Sequence, residues 1–311
     1  LFIVSLCLVI GYLFTRQLVD PIKSLAKDTK NMADLQEVQP RFPERKDELG
    51  DLSRDVHLMY RKLKKTIAHH QDEILREQEI VANQRYFFSA ASHELKTPIA
   101  ATSILLEGML ANIGDYKNHP KYLRECLDLM DKQSELVSEI LEIVKLNEGK
   151  VLFTFEKVKL REIIEATLLS YQSQITAANQ RIEVTIPADI VVFCDQNSLK
   201  KILSNVLANA VQNSPEEALI RIWTEEQSGS CRLNILNTKS AIAPETLTKI
   251  FAPFYKVDKA RTDKNTRSGL GLTIVQKLLQ EMKLSFSLEN TSEGVRFYVD
   301  FPKEEASKNN S

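Results

Sequence analysis

Mostly apolar side chains recur in a 4-3-4-3 step at Phe88, Ser92, Leu95, Ile99, Thr102, Leu106, Met109 and Ile113. That period constrains the fold more than any other feature, because it is the seam of a coiled coil or helical bundle and does not suit a strand. With Ser92 at heptad position a, His93, Glu94 and Thr97 fall at b, c and f, off the seam. A histidine, a carboxylate and, one turn later, a hydroxyl thus share the wet side of a packing helix. Taken alone, a histidine on such a face is ordinary. A second row, Leu123, Leu127, Met130, Ser134, Val137, Leu141 and Val144, steps the same way. Turn chemistry at Asn112-Ile113-Gly114-Asp115 and Asn118-His119-Pro120 separates the two rows, and Gly149 suits the C-terminal cap of the second. Residues 68 to 148 are therefore expected to form an antiparallel hairpin. Its first helix runs from about 68 to 112 with a kink or fraying point at Pro98. Two hairpins make a dimeric four-helix bundle.

Upstream, Leu1 to Phe14 is an apolar run of 14 residues broken only by Ser5. As a helix it would reach about 21 Å at ~1.5 Å per residue, short of a bilayer core of ~30 Å. A short buried helix or a signal-peptide core is one reading. The basic flank of Arg16, Lys23, Lys27 and Lys30 favours a truncated transmembrane helix of the plasma membrane, with residues from about 15 onward cytoplasmic. Residues 15 to 67 carry two short rows, Leu18-Ile22-Leu25-Thr29-Met32 and Leu49-Leu52-Val56-Met59-Leu63, interrupted by Pro40-Arg41-Phe42-Pro43. The step from Leu63 to Ile67 is four where three is due. Such a stutter locally unwinds a supercoil and marks a candidate joint between packing registers.

Beyond Gly149 the periods shorten. Strand-like runs at 151–156, 181–186, 190–194, 218–224, 232–237, 284–288 and 295–301 mix with helical runs at 160–178, 196–213, 244–251 and 270–282. This order predicts an α/β sandwich over residues 149–303, one sheet with helices on one face, followed by a disordered tail at 304–311. Within the helical run, Asn205, Asn209 and Asn213 recur every four residues. Asparagine is a poor helix former, and a solvated face would more naturally carry Glu and Lys. Three stacked amides on an otherwise apolar helix point to a polar pocket lining. Amide oxygens also suit magnesium, which keeps its waters and shares nucleotide phosphates.

The octapeptide Ser92-His93-Glu94-Leu95-Lys96-Thr97-Pro98-Ile99 matches the H box of sensor histidine kinases at every position, and the chain resembles that family from residue 15 to 302. Asp20-Pro21 and Asp47-Glu48-Leu49-Gly50 resemble the HAMP linker of membrane receptors. Asn205-x-x-x-Asn209-Ala210 resembles the N box, Phe251-Ala252-Pro253-Phe254-Tyr255 the F box, and Ser268-Gly269-Leu270-Gly271-Leu272 the G2 box. A narrower similarity, to the vancomycin-resistance sensor kinases and particularly their B type, rests on Arg85-Tyr86-Phe87-Phe88, Leu106-Glu107-Gly108-Met109-Leu110 and Lys121-Tyr122-Leu123-Arg124-Glu125-Cys126. The resemblance implies an ATP-binding domain of the histidine kinase/Hsp90 type and autophosphorylation of His93. It implies Glu94 as base or orienter and Thr97 as the residue for phosphatase action on the regulator. For nucleotide it implies Asn205, Asn209, Asn213, Asn237, Phe254, Lys256, Arg261, Gly269, Leu270 and Gly271, with Asn209 on Mg2+. The implied partners are a second copy of the chain, a cognate response regulator and, through the N-terminal helix, the membrane. A glycopeptide-resistance role follows from the narrower similarity alone.

Two departures bear on ATP. Where the family has Asp-x-Gly-x-Gly at the adenine, this chain has Asn237-Thr238-Lys239-Ser240-Ala241, so the acceptor loses its charge and the loop both glycines. The last glycine box is reduced to Gly294. A catalytically weak or phosphatase-dominant scaffold that holds the regulator is therefore a rival reading, and an ATP-driven clamp of the chaperone and topoisomerase type is another. An exposed histidine upstream is of no use to a clamp. Composition excludes less. A net charge of −1 gives no case for direct nucleic-acid binding. The four cysteines, Cys7, Cys126, Cys194 and Cys231, lack metal spacing, so reduced cytosolic thiols are expected.

Overall fold

The computed structural model describes residues 2–38, 45–227, 229–256 and 268–302. Arg261, the proline pair at 40 and 43 and the tail lie outside those residues. The chain divides into two compact units, Leu1–Arg85 and Tyr86–Ser311.

In the first unit, helix α1 (Phe2–Phe14) passes through a π-helical turn at Thr15–Val19 into α2 (Asp20–Ala33). Pro21 explains the irregular turn: it brings no N–H to Gln17 O, and the Asp20 N–H reaches back five residues to Thr15 O. The freed Gln17 carbonyl accepts instead from Arg45 Nη2 at 2.7 Å. Phe2–Ala33 is thus a 32-residue helix with a mean hydropathy of 1.9 over its apolar window, enough by length and composition alone to cross a membrane. The apolar run does not stop as a separate helix at Phe14.

Helix α3 runs from Glu48 to Ala111 as 64 residues of unbroken α-helix. The division expected near residue 67 is therefore not a break in the backbone. A stutter changes which side chains share a face, while the i→i−4 ladder continues. Pro98 likewise removes a single donor without ending the helix. Asp47 starts α3 by accepting from the Gly50 N–H at 3.1 Å, and Glu48 and Asp51 place acids at its positive end.

In the second unit, a 3-10 turn (Gly114–Lys117) leads to α4 (His119–Asn147), which Asn118 caps by accepting from the Lys121 N–H. Helix α4 has two apolar stripes, of which the sequence pattern reveals one. Leu127, Met130 and Leu141 of that stripe are exposed, whereas Cys126, Leu136, Ile143 and Leu146 are buried. On α3, Phe88 and Ile99 are each 50% exposed while Phe87 and Ala91 are buried. Much of the expected seam is thus left open in one chain, although Met109 is buried and Leu95 and Val144 pack on the core. The neighbouring stripe packs within the chain.

The C-terminal part of this unit holds β1 (Phe155–Lys159), α5 (Leu160–Leu169), α6 (Gln172–Ala177), β2 (Arg181–Thr185), β3 (Val191–Asp195) and α7 (Gln196–Asn213). It continues with β4 (Leu219–Gln227), β5 (Ser230–Thr238), α8 (Pro244–Leu247), α9 (Gly271–Glu281), β6 (Ser285–Asn290) and β7 (Gly294–Pro302). Two sheets form rather than one. Five strands run β2-β4-β5-β7-β6, with β2 parallel to β4 and the remaining pairs antiparallel. Strands β1 and β3 make a separate antiparallel ribbon, with Val158 opposite Val192. Alternation marks both as strands but carries no information on pairing. The expected helix at 160–178 divides around Ser170–Tyr171, and that at 244–251 shrinks to α8. Helices α7 and α9 close the core over Ile220, Ile222, Leu233, Ile235, Phe297 and Val299. On the opposite face of the sheet, Arg232 stacks 3.9 Å from the Tyr298 ring and pairs with Asp300 through two bonds of 2.7 and 2.8 Å.

Candidate active site

Helix α7 sets the site because its start is fixed. Asp195 accepts from the Ser198 N–H at 2.8 Å and the Thr154 N–H at 2.9 Å. Burial alone would raise this carboxyl, but the amide donors outweigh it and hold it below the ordinary carboxylate range. From that fixed end, the apolar residues of α7 enter the core and the asparagines face a cavity of about 520 Å³. Asn205, Asn209, Asn213 and Asn237 all line it, with Lys256, Gly269 and Gly271. Asn205 is buried, and its Oδ1 comes so close to Gly271 that a Cβ there would stand 2.7 Å away. Asn213 is exposed and turns its Nδ2 back to Asn209 O at 2.9 Å.

Gly269 has φ +79, and a Cβ on it would meet the Phe254 backbone at 2.9 Å. The Phe254 N–H donates to Gly269 O at 3.1 Å, and Thr273 Oγ1 donates to Phe251 O at 2.9 Å, so the F and G2 segments brace each other. Two expected nucleotide residues stand elsewhere. Phe254 does not line the cavity; its ring packs against Phe87 of α3 at 5.6 Å between centroids. Leu270 is fully buried in the core, which leaves its backbone alone near the cavity. Both are apolar side chains, and the core claims them.

His93 is exposed on α3. Glu94 is turned away from its ring in this state. The Glu94 carboxylate accepts from Lys256 Nζ at 2.9 Å instead. Thr97 Oγ1 donates to His93 O at 3.3 Å. Sequence reasoning missed Glu139 and Ser268: Ser268 Oγ donates to Glu139 Oε2 at 2.5 Å, and both line the cavity. No pattern in the sequence marks Glu139. The apolar wall of Ile235, Val295 and Phe297 was within reach, because these residues share a strand face with Asn237 or oppose it across the sheet. Glu94 of α3 and Glu139 of α4 thus each meet a residue that lines the cavity, Lys256 and Ser268.

In the loop after β5, Lys239 adopts φ +57. Its N–H donates to Glu293 O at 3.1 Å. Asn290 pins the far side of the loop, donating from Nδ2 to Ile242 O at 2.6 Å and accepting from the Ile242 N–H at 2.9 Å. The loop keeps a turn that glycine would make without strain.

Comparison with known proteins bears on each part. Residues 83–149 match the family described as His Kinase A (phospho-acceptor) domain. Residues 194–305 match the one described as Histidine kinase-, DNA gyrase B-, and HSP90-like ATPase. The chain is 52% identical over 295 residues to the sensor protein VanSB of Enterococcus faecalis, covering 95% of this chain and 66% of that protein. It is 33% identical over 299 residues to the sensor histidine protein kinase HK06 of Streptococcus pneumoniae, covering 95% and 65%. The chain thus spans about two thirds of the length of these relatives. Among solved structures it is similar to the Acinetobacter baumannii histidine kinase AdeS, with a TM-score of 0.58 at 20% identity over 68% of this chain and 98% of that one. The histidine kinase ThkA, solved in complex with response regulator protein TrrA, gives a TM-score of 0.59 at 24% identity, over 74% and 65%. Both structural likenesses concern the fold.

Proposed function

The chain belongs to the sensor histidine kinases of two-component systems, and on that premise we propose that it phosphorylates His93 from ATP and passes the group to an aspartate of a response regulator. The observation that carries this reading is the Glu94–Lys256 contact, which brings the helix of an exposed histidine to the rim of a cavity lined by asparagine amides. A cavity of about 520 Å³ falls within the few hundred to ~1,000 Å³ usual for ligand sites. In this reading the adenine lies toward Asn237 and the apolar wall, and the phosphates lie toward Gly269 and Gly271.

The neutral imidazole of His93 attacks the γ-phosphorus. An N–P bond forms as the bond to the bridging oxygen breaks, and ADP leaves. Glu94 takes up the ring proton, which requires that it first leave Lys256. Lys256 then faces the phosphates. Asn209, a half-buried amide lining the cavity, fits magnesium, and Asn205, whose Oδ1 stands beside Gly271, lies beside the phosphates. When bound, the metal neutralises charge on the phosphates. Arg261 is proposed as a further phosphate partner, and Asn213 as part of the polar wall.

Thr97 is proposed to support dephosphorylation of the regulator. The open apolar faces of α3 and α4 fit a second copy of the chain in a four-helix bundle. The apolar helix at the N-terminus fits a plasma-membrane anchor with a HAMP-like linker behind it. Similarity to VanSB supports control of glycopeptide resistance. The neutral Asn237 favours a second reading, a phosphatase-dominant or scaffolding member. Incubation of the full chain with radiolabelled ATP separates the two. Acid-labile, base-stable label is expected in the parental protein and absent from His93→Gln, with ATP still bound. Label of that type persisting in the variant moves the phosphosite elsewhere.

A further inference from the structure

We propose that Asn237 opens the site to purine nucleoside triphosphates with either an amino or an oxo group at C6, so that ITP binds about as well as ATP. The inference rests on the reading of the cavity as an ATP site, with the base toward Asn237. That end of the cavity is an apolar wall carrying one strand amide. Ile235 shares a face of β5 with Asn237, and Phe297 and Val295 stand opposite them on β7. Such a wall suits a flat ring and leaves the reading of its edge to the amide. The Asn237 backbone is fixed. It pairs with Ile220 on β4 and Val295 on β7, and a Cβ on Gly294 would collide with its carbonyl oxygen. The side-chain amide is buried and lines the cavity, and among the described residues no other group bonds to it. Asn213, by contrast, commits its Nδ2 to Asn209 O, and Asn290 is bonded to Ile242 through both ends. The position of the Asn237 amide is thus set, while its two ends are left free to exchange.

An amide carries a donor and an acceptor side by side, and a half-turn about its last bond exchanges them. Adenine offers a C6-amino donor beside the N1 acceptor. Hypoxanthine offers the reverse, a C6-oxo acceptor beside an N1–H donor. In one orientation the amino group donates to Oδ1 while Nδ2 donates to N1. In the other, Nδ2 donates to the oxo group while N1–H donates to Oδ1. Asn237 therefore meets either edge with the same pair of neutral bonds. A carboxylate in its place would only accept. It would satisfy the amino group of adenine but set an oxygen against the oxo group, and a buried acceptor left without a donor costs more than a typical bond gains. Charge elsewhere in the cavity does not alter the choice. Among the described lining residues the charged ones are Lys256, bonded to Glu94, and Glu139, bonded to Ser268. Both act on the triphosphate, which is identical in the two nucleotides and cancels in the ratio of their affinities.

The test is displacement of trinitrophenyl-ATP from the full chain in detergent micelles with magnesium, by ATP, ITP and inorganic triphosphate. ITP is chosen over GTP because it lacks the C2-amino group, which together with N1–H gives a carboxylate a second way to hold a base. In the parental chain ATP and ITP should lie within about fivefold of each other, since each gains the same pair of neutral bonds. Inorganic triphosphate should bind more weakly than either. Asn237→Asp should tighten ATP and weaken ITP, widening the ratio beyond about twentyfold. Asn237→Leu removes the bonds to both bases and should weaken the two nucleotides alike. Urea melts read at Trp223 establish that each variant is folded, and the parental comparison decides without them. A parental preference for ATP beyond about fivefold overturns the proposal, as does an unchanged ratio in folded Asn237→Asp. Inorganic triphosphate that displaces as well as ATP overturns it too, because the base is then not read. Displacement by neither nucleotide overturns the ATP reading itself and the proposal with it.

Discussion

Replacing Lys239 by glycine should stabilise the ATP-binding domain. Lys239 sits in the left-handed region at φ +57, where a residue with a Cβ is disfavoured by about 1–2 kcal/mol. Glycine removes that strain and adds backbone freedom to the unfolded chain, a cost of about 0.4–1 kcal/mol. Little native bonding is sacrificed. The Lys239 side chain reaches Glu217 O at 3.5 Å in an exposed setting, the outer limit of a hydrogen bond, and the N–H bond to Glu293 O survives. The net gain is about 0.5–1 kcal/mol. Trp223, the one tryptophan of the chain, lies on β4 of the same sheet and reports on this domain in urea melts. With a urea slope of about 2–3 kcal/mol per molar, the midpoint should rise by roughly 0.2–0.5 M. A midpoint that stays or falls refutes the view that Lys239 strain, rather than the Ile242–Asn290 pin, dominates the loop.

Thr97→Ala should retain autophosphorylation and transfer while losing dephosphorylation of the regulator. If all three rates fall together, the hydroxyl acts only through its bond to His93 O. Asn237→Asp should tighten ATP by about 1 kcal/mol, roughly fivefold, through a charge-assisted bond; isothermal calorimetry showing unchanged or weaker binding would place the adenine elsewhere. Asp195→Ala should cost about 1 kcal/mol at neutral pH through loss of the α7 cap. Because the folded carboxyl is held low, that contribution is present above the unfolded value near 3.9 and lost as pH falls through the folded one. The gap between parental and variant midpoints should therefore close in acid, and a gap that widens there would contradict the assignment.

Much of the candidate site is legible in the sequence because its chemistry uses polar residues at helical spacing. The bounds expected for α7 are those observed, since Asp195 and the asparagine ladder mark both ends. The motifs around Phe254 and Leu270 point to the nucleotide, yet apolar side chains follow burial. The joint expected at residue 67 rests on side-chain register, to which the backbone ladder is indifferent. Pairing of β1 with β3 is invisible because alternation states a strand's face and not its neighbour. Glu139 lies beyond reach for a different reason. An acid on a charged helix acquires meaning only from what packs against it, here a serine more than a hundred residues away in the chain.

The open faces of α3 and α4 have a consequence for any measurement on this chain. Side chains such as Leu127, Met130 and Leu141 stay wet in one copy, and covering them is worth roughly 1.5–3 kcal/mol for each large apolar group fully buried. Because Ile143 and Leu146 of α4 share one core with α7, α9 and the sheet, that gain reaches the second unit as a whole, and its melting point, read at Trp223, should climb with protein concentration by mass action. Dilution alone, with no change of sequence or solvent, should therefore lower that midpoint.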